Sequence, residues 1–358
     1  LISIDKSFNG RWNVGKLINN QTKELTIICL VNKTGKITNS VISRSVLKNI
    51  KPAKNSLTVK PSIGADASVL ENGIVIASDS GFEPVYTASN NIYARGGRPQ
   101  YIQCCVNLAQ DMREIRLKEI MQKISADCAQ LGLVVSGGHT QVEAGNTRAV
   151  VAVTAVGFTE NVKEPHAVGS NMAKPGDDII MTKCIGIGGV QYIINNNREK
   201  ILEKYVEDVV KRAYGNRSDL SIAKEACIAI ENGAVSLHDM SQGGVYAALW
   251  DMAEASGTGL LVDFRAIAVR QEIIEICEIF DINPYELNSC GSLLITSSDS
   301  ERIIKALAEE GIDACVIGKV TDGNDKIINN LDEVRFLDKP VQDEIYRLQE
   351  MQSETTAE

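Results

Sequence analysis

Residues 1–60 are polar and rich in Asn and Lys, broken by one apolar stretch at 25–31 with strand character, while 7–16 (SFNGRWNVGK) reads as a mobile loop. From about 62 to 158 apolar positions become dense, and the runs at 74–76, 101–108, 133–136 and 148–158 each predict a strand. Between the second and third, residues 113–131 carry Ile120, Ile124, Cys128 and Leu131 at helical spacing, and Gly132 stops the pattern. That stripe is core. Residues 159–177 lose periodicity and collect Pro165, Gly169, Pro175 and Gly176, the composition of a turn-rich connection, so the domain boundary falls here. Beyond it, strands are predicted at 178–184, 234–237, 259–263, 292–296 and 314–320, with helical segments up to about 231 and helices at 244–255 and 300–310. The polar residues 349–358 carry no apolar period and are expected to fray. The result is a mixed α/β chain: an extension (1–60), a first domain (61–160), a linker (161–177), a second domain (178–335) and a C-terminal segment (336–358).

Length agrees, since 358 residues exceed the roughly 250 at which single cores stop growing. Apolar residues at 44% and charged residues at 23% exclude a disordered chain. The net charge of −9 would repel a phosphate backbone, so nucleic acid is not an expected partner. No apolar run reaches the roughly 18 to 20 residues of a membrane span, and the N-terminus lacks a signal-peptide stretch, so a cytoplasmic protein is expected. The nine cysteines are dispersed, mostly in apolar runs, without a CxxC pair, and read as buried free thiols; Cys29 in particular reads as core.

Four places present a carboxylate or glycine turn beside a strand. In IGADASVL, Gly64 permits a tight backbone ahead of Asp66; in IASDSGF, Asp79 follows the strand at 74–77. A turn aspartate that satisfies local amides and a metal ligand are equal readings of both. In HDMSQGGV, Asp239 lies between a strand and the pair Gly243 and Gly244, which opens a helix, so that amides and a carboxylate converge. In SGGHTQVE, Gly137 and Gly138 follow a strand and precede His139 and Thr140, an arrangement that suits a phosphate or a Mg²⁺–phosphate cluster, although glycine pairs mostly serve turns. The turn IGIGGVQYI has neither the GxGxxG of a dinucleotide site nor the GxxxxGK[ST] of a P-loop. His139, His166 and His238 each have a local explanation, so no Ser-His-Asp or Cys-His catalysis is supported. What remains suits a nucleoside triphosphate held through divalent metal.

In this order the motifs resemble the superfamily of aminoimidazole ribonucleotide (AIR) synthetase, selenophosphate synthetase, thiamine-monophosphate kinase and the hydrogenase-maturation protein HypE, over about residues 62–330. IGADASVL is similar to its early Asp motif, and ASNNIYARGGRPQY to its helix ending in a glycine turn. LVVSGGHTQVE with NTRAVVAVTAVGF resembles the close of its first domain. KPGDDIIMTKCIGIGG and SLHDMSQGGVYAALWDMAEASGTGLLVD resemble the opening and centre of its second. HypE-type and related proteins look most similar. The resemblance implies a two-domain PurM-like fold whose N-terminal sheets form a dimeric barrel in a homodimer, with ATP and Mg²⁺ beside that interface. Asp66 and Asp239 are then the metal and catalytic carboxylates and Asp79 a candidate third ligand. Gly64, Asn91, Gly137, Gly138, His139, Thr140, Gly243 and Gly244 line the nucleotide site.

Three departures qualify this. Asn91 stands where relatives commonly place an Asp, which removes one charge from the metal site. The stretch from Asp79 to Asn91 is shorter than usual, and the chain ends TTAE rather than in the cysteine of hydrogenase-maturation members, so the self-modifying tail reaction is not expected. Nor does the N-terminal region show the Cys-x-x-Lys pattern of selenophosphate synthetases. The expected function is an ATP- and Mg²⁺-dependent enzyme that phosphorylates an oxygen of a small-molecule or partner-borne amide-like acceptor. The alternatives are a nucleotide-binding homodimer that has lost turnover and acts as an assembly or regulatory partner, and a phosphotransferase like selenophosphate synthetase or thiamine-monophosphate kinase.

Overall fold

The computed structural model describes residues 16–18, 25–27, 34–50, 57–59, 61–159, 169–340 and 342–357. The expected core position of Cys29 and most of the 7–16 loop lie outside the described residues. Strands β1 (Lys16–Ile18) and β2 (Leu25–Ile27) pair as an antiparallel ribbon, and α1 (Asn39–Val41) opens a short helical stretch. A first sheet comprises β3 (Leu57–Val59), β4 (Ala67–Leu70), β5 (Ile74–Asp79), β6 (Gly97–Leu108), β7 (Val134–Val142) and β8 (Val150–Thr159), with helices α2 (Pro84–Tyr93) and α3 (Glu114–Leu131). Its strand order is β3-β4-β5-β8-β6-β7, with only β6 and β7 parallel. A second sheet comprises β9 (Asp178–Thr182), β10 (Ser236–Met240), β11 (Gly259–Asp263), β12 (Ser292–Ser297), β13 (Ala314–Thr321), β14 (Lys326–Asn330) and β15 (Glu333–Phe336), in the order β10-β12-β9-β13-β11-β14-β15. Around it stand α4 (Ile187–Leu202), α5 (Glu207–Tyr214), α6 (Ala223–Glu231), α7 (Gly244–Ser256), α8 (Gln271–Ile279), α9 (Ser300–Glu309) and α10 (Glu344–Ala357).

The predicted mixed α/β, two-sheet architecture is present. In β9 alternate residues serve opposite faces: Ile179 and Met181 pack with Val245, Leu249 and Met252 of α7, while Ile180 packs with Ala226 of α6 and Ile303 of α9. A strand covered on both faces is apolar at consecutive positions rather than alternate ones, which is why Ile179, Ile180 and Met181 run together in the middle of β9. Among the described residues, helices cover one face of the first sheet. Val75, Ile102, Cys104, Val153 and Ala155 bury against Ile92 of α2 and Ile124 and Cys128 of α3. The other face leaves Tyr101, Val150 and Phe158 in solvent, and edge strand β7 exposes Val134, Val135 and Val142.

Helix α3 stops as expected, with Gly132 in the left-handed conformation at φ 68°. Three expectations need correction. The strand at 133–136 continues to Val142, so Gly137 to Thr140 lie in strand β7 rather than in a loop after it. The strand placed at 234–237 runs from Ser236 to Met240 and carries His238 and Asp239 within it, paired to Leu294 and Leu293 of β12. The tail expected to fray is helical to Ala357: Ile345 and Leu348 bury the start of its helix in the core, and side-chain amides dock the turns that follow, with Gln349 Nε2 on Tyr192 Oη at 2.5 Å and Gln352 Nε2 on Asn197 Oδ1 at 2.6 Å.

Helix α2 belongs to the first sheet but is bolted to the second domain. Asn90 donates to the Leu220 carbonyl at 2.9 Å and accepts from the Ile222 amide at 3.2 Å. Arg217 donates to both oxygens of Glu83 at 2.9 and 2.8 Å and to Asp127 at 2.8 Å, and Lys123 adds a contact to Glu83 at 2.6 Å. Glu83 and Asp127 are buried, so the two carboxylates are tolerable there only with a cation between them. Arg217→Met should therefore cost about 3–5 kcal/mol of stability by leaving both unpaired by the guanidinium. Urea denaturation checks this, and a loss under 1 kcal/mol would show the network to be ornamental.

Candidate active site

Strands β4, β5 and β10 and helix α2 converge where the two domains meet. Asp66 directly precedes β4, held by a turn in which Gly64 has φ 72° and sits so close to α7 that a Cβ would lie 2.7 Å from that of Ala255. Asp79 ends β5 and accepts from the Gly81 amide at 2.6 Å. Asp239 comes from β10 and is 3% exposed. Asp66, Asn91, Arg95, Ser170, His238 and Asp239 line one small cavity of about 10 Å³, with room for one water or ion. Two polar atoms on that lining are buried without a hydrogen-bond partner, Asp239 Oδ2 and Arg95 Nη2. Asp66 Oδ2 lies 3.4 Å from His238 Nδ1.

The electrostatics follow from burial and crowding. Burial, then the charges of Asp66 and Asp79, push the Asp239 carboxyl well above its ordinary range, and Lys36 acts against them. Burial also raises Asp79, with the Gly81 amide and Lys36 opposing. Burial pulls His238 down against the pull of Asp66 and Asp251, so its imidazole favours the neutral form. Arg95 is lowered by burial, against Asp66; its Nη1 donates to Asn171 at 3.2 Å, and Gly169 presses on the guanidinium too closely for any side chain.

The structure thus brings Asp66, Asn91 and Asp239 to one cavity and places Asp79 within electrostatic reach. Gly243 and Gly244 sit at the start of α7 with φ 81° and 63°, but their amides are engaged internally, Gly243 with Asp343 Oδ2 at 2.7 Å and Gly244 with the Ser241 carbonyl at 3.2 Å. Gly137, Gly138, His139 and Thr140 are not brought to the cluster within one chain. They lie exposed on β7, four strand spacings or roughly 19 Å from β4. Gly138 pairs with Cys104 so closely that a Cβ would strike its carbonyl, a packing reason for that glycine.

Sequence reasoning missed Lys36, Arg95, Asp251 and Asp343. Asp251 had a signal, a lone carboxylate in the apolar run YAALWDMA; Lys36 had none. Lys36 and Asp251 pair at 2.7 Å and, with Asn39, Gln242, Trp250 and Asp343, line a second cavity of about 330 Å³ beside the cluster. The size suits a small molecule.

The residues fit a magnesium ion. Mg²⁺ takes oxygen donors, uses one or two carboxylates and leaves its other positions to water and phosphate. Asp66, Asp239 and Asn91 supply such donors, and the unpartnered Asp239 Oδ2 is otherwise unexplained. Among the described residues no three His, Cys, Asp or Glu side chains form a ready metal cage, so phosphate oxygens would have to complete the shell.

Family models match both halves: AIR synthase related protein, N-terminal domain, over residues 64–159, and AIR synthase related protein, C-terminal domain, over 174–329. The chain belongs to the AIR synthase related family. Among its members, carbamoyl dehydratase HypE of Rhodobacter capsulatus is 24% identical over 234 residues, covering 64% of this chain and 66% of that relative. The match thus spans just under two thirds of that relative's length. The crystal structure of E. coli HypE, a hydrogenase maturation protein, superposes with a TM-score of 0.63 at 20% identity over 76% of this chain and 89% of that one. A HypE in complex with ATP gives 0.62 at 17% identity, over 87% and 97%. These two likenesses are of fold. They bear out the PurM-like, two-domain architecture.

One feature of this family member is its capping carboxylate. Burial pushes Asp343 up to about 7, against the amides of Gly243, Ile345 and Asn288 that favour its ionised form. Between the unfolded value near 4 and this folded value, the native state holds a proton the unfolded chain has released. Stability is therefore full below about pH 4 and is lost as pH rises towards 7, by roughly 2–3 kcal/mol between pH 5 and 7. Urea midpoints across that range should fall in the wild type and flatten in Asp343→Asn; equal slopes in both proteins would refute this role.

Proposed function

We propose that this protein is an ATP- and Mg²⁺-dependent enzyme that phosphorylates an oxygen of a small-molecule or protein-borne, amide-like acceptor. The observation that carries the reading is the unpartnered, buried carboxylate oxygen of Asp239 facing a cavity shared with Asp66 and Asn91 at the junction of the domains. Asp66, Asp239 and Asn91 would hold the ion; when bound it would neutralise the triphosphate and the charge that develops on the transferred phosphoryl group. His238 orients Asp66, the neutral imidazole offering a donor or acceptor according to tautomer. Arg95, held in place by Asn171, keeps one guanidinium nitrogen free for an oxyanion. The 330 Å³ cavity under residues 36–43 is the candidate acceptor pocket: it adjoins the cluster through Lys36 and Asp251 and has Trp250 as an apolar wall.

The exposed apolar face of the first sheet supports a homodimer. Tyr101, Val150 and Phe158 on that face and Val134, Val135 and Val142 on the unpaired edge of β7 form a surface that a second copy would cover. Such pairing would bring the His139 strand of one copy against its partner. A dimer by sedimentation, converted to monomer by Val135→Glu, is the expected result; a wild-type monomer at micromolar concentration sinks it.

Asn91 favours a second reading, a nucleotide-binding homodimer without turnover, because the neutral amide and Arg95 both reduce the negative charge available for metal. Turnover separates the two. Incubation with ATP, Mg²⁺ and a panel of amide, carboxylate and phosphate-ester acceptors, read by mass spectrometry of ADP and AMP, should show nucleotide consumption that falls at least about 100-fold in Asp239→Asn. Thermal stabilisation by ATP with no consumption for any acceptor supports the second reading. Equal turnover in Asp239→Asn excludes the site.

A further inference from the structure

Residues 34–43 belong to neither sheet, yet they are pinned across the cleft. Lys36 Nζ donates to Asp251 Oδ2 at 2.7 Å and Asn39 Nδ2 to Asp251 Oδ1 at 3.0 Å. Thr34 Oγ1 donates to Glu350 of α10 at 2.7 Å, and Gly35 lies so close to the Tyr346 ring that a Cβ would come within 2.9 Å. Asp251 itself is buried, at 4% exposure, so its charge needs a cation. The Lys36 side chain, in contrast, is 46% exposed and has a path back to solvent. Arg95 has no such path, walled in by Gly169 and tied to Asn171.

We propose that Lys36 is a built-in counter-cation of the carboxylate cluster, delivered by residues 34–43, that competes with a divalent metal ion, so that ion binding and docking of this segment oppose each other. The inference rests on the reading of Asp66 and Asp239 as the metal–nucleotide site. Its electrostatic basis is simple. The ammonium ion-pairs directly with Asp251, and its charge also reaches Asp66, Asp239 and Asp79. Unit charges a few ångströms apart at a partly buried site interact by several kcal/mol, and a doubly charged ion arriving beside a fixed ammonium meets repulsion on that scale. Lysine suits the role because its flexible stem lets the charge swing away, which a packed guanidinium does not. Linkage makes the effect reciprocal: whatever factor Lys36 docking takes from ion affinity, the bound ion takes from docking. In the nucleotide-free protein Lys36 thus limits repulsion among carboxylates, and arrival of metal with nucleotide loosens the wall of the 330 Å³ cavity that residues 36–43 form.

The test is a calorimetric titration of the full chain with Mn²⁺ and no nucleotide, alongside hydrogen exchange of peptides covering 34–43. Lys36→Met should bind Mn²⁺ on the order of tenfold more tightly than wild type. Asn39→Ala, which keeps the cation but weakens the latch, should show a smaller gain, and saturating Mn²⁺ should speed exchange of 34–43 in the wild type. If wild type binds Mn²⁺ and Lys36→Met binds it equally or more weakly, the inference is overturned while the site reading stands. If Mn²⁺ slows exchange of the segment, the inference is likewise overturned. Absence of Mn²⁺ binding from wild type and both variants overturns the inference and the metal reading together.

Discussion

Like charges held close together in a poorly hydrated place are the constraint on which the rest of this molecule turns. Asp66 and Asp79 disfavour the ionised form of Asp239, Asp66 does the same to Asp79, and Asp239 is buried as well. A protein that keeps such a cluster must anchor each carboxylate on a rigid element and supply positive charge nearby. Here the anchors are the start of β4, the end of β5 and the interior of β10, three strands drawn from two sheets. The positive charge comes from Arg95 beneath helix α2 and from Lys36 at the rim.

Because the cluster straddles two sheets, its geometry is only as good as the joint between them. Helix α2 makes that joint. Its apolar side packs on β5, β6 and β8, while Asn90 and, at its entrance, Glu83 reach the 217–222 segment of the second domain. The same helix carries Asn91 to the cavity, and the turn that follows it carries Arg95. One helix therefore both fastens the domains and furnishes part of the site, so strain at the joint is felt at the chemistry. The C-terminal segment contributes in a similar way: Asp343 occupies the amide of Gly243, so the turn after Asp239 is stabilised from within rather than left open to a phosphate.

Much of the fold was legible because burial leaves a periodic trace. The run 179–181 is apolar at consecutive positions because the middle of β9 is covered on both faces, and 113–131 shows a helical stripe because α3 lies on the sheet with one side only. Polar docking leaves no such trace. Helix α10 buries Ile345 and Leu348 at its start but is held further on by Gln349 and Gln352, and α8, β14 and β15 are short elements between polar flanks, which is why none was evident. Strand β10 was misplaced by two residues because His238 and Asp239 look like loop residues until their burial beneath the domain junction is known.

The chain's linear order by itself determined the two-domain plan, the positions of Gly64, Asp66, Asn91 and Asp239, and the family motifs that mark them, since strand–turn–helix patterns are local and survive in one dimension. Only the tertiary structure decided which carboxylates share a cavity, that Gly137 to Thr140 sit in an edge strand away from it, and that Lys36 and Arg95 stand among the acids. Those facts concern the meeting of segments up to about two hundred residues apart, and electrostatic energy depends on distance in space, to which separation along the chain is no guide.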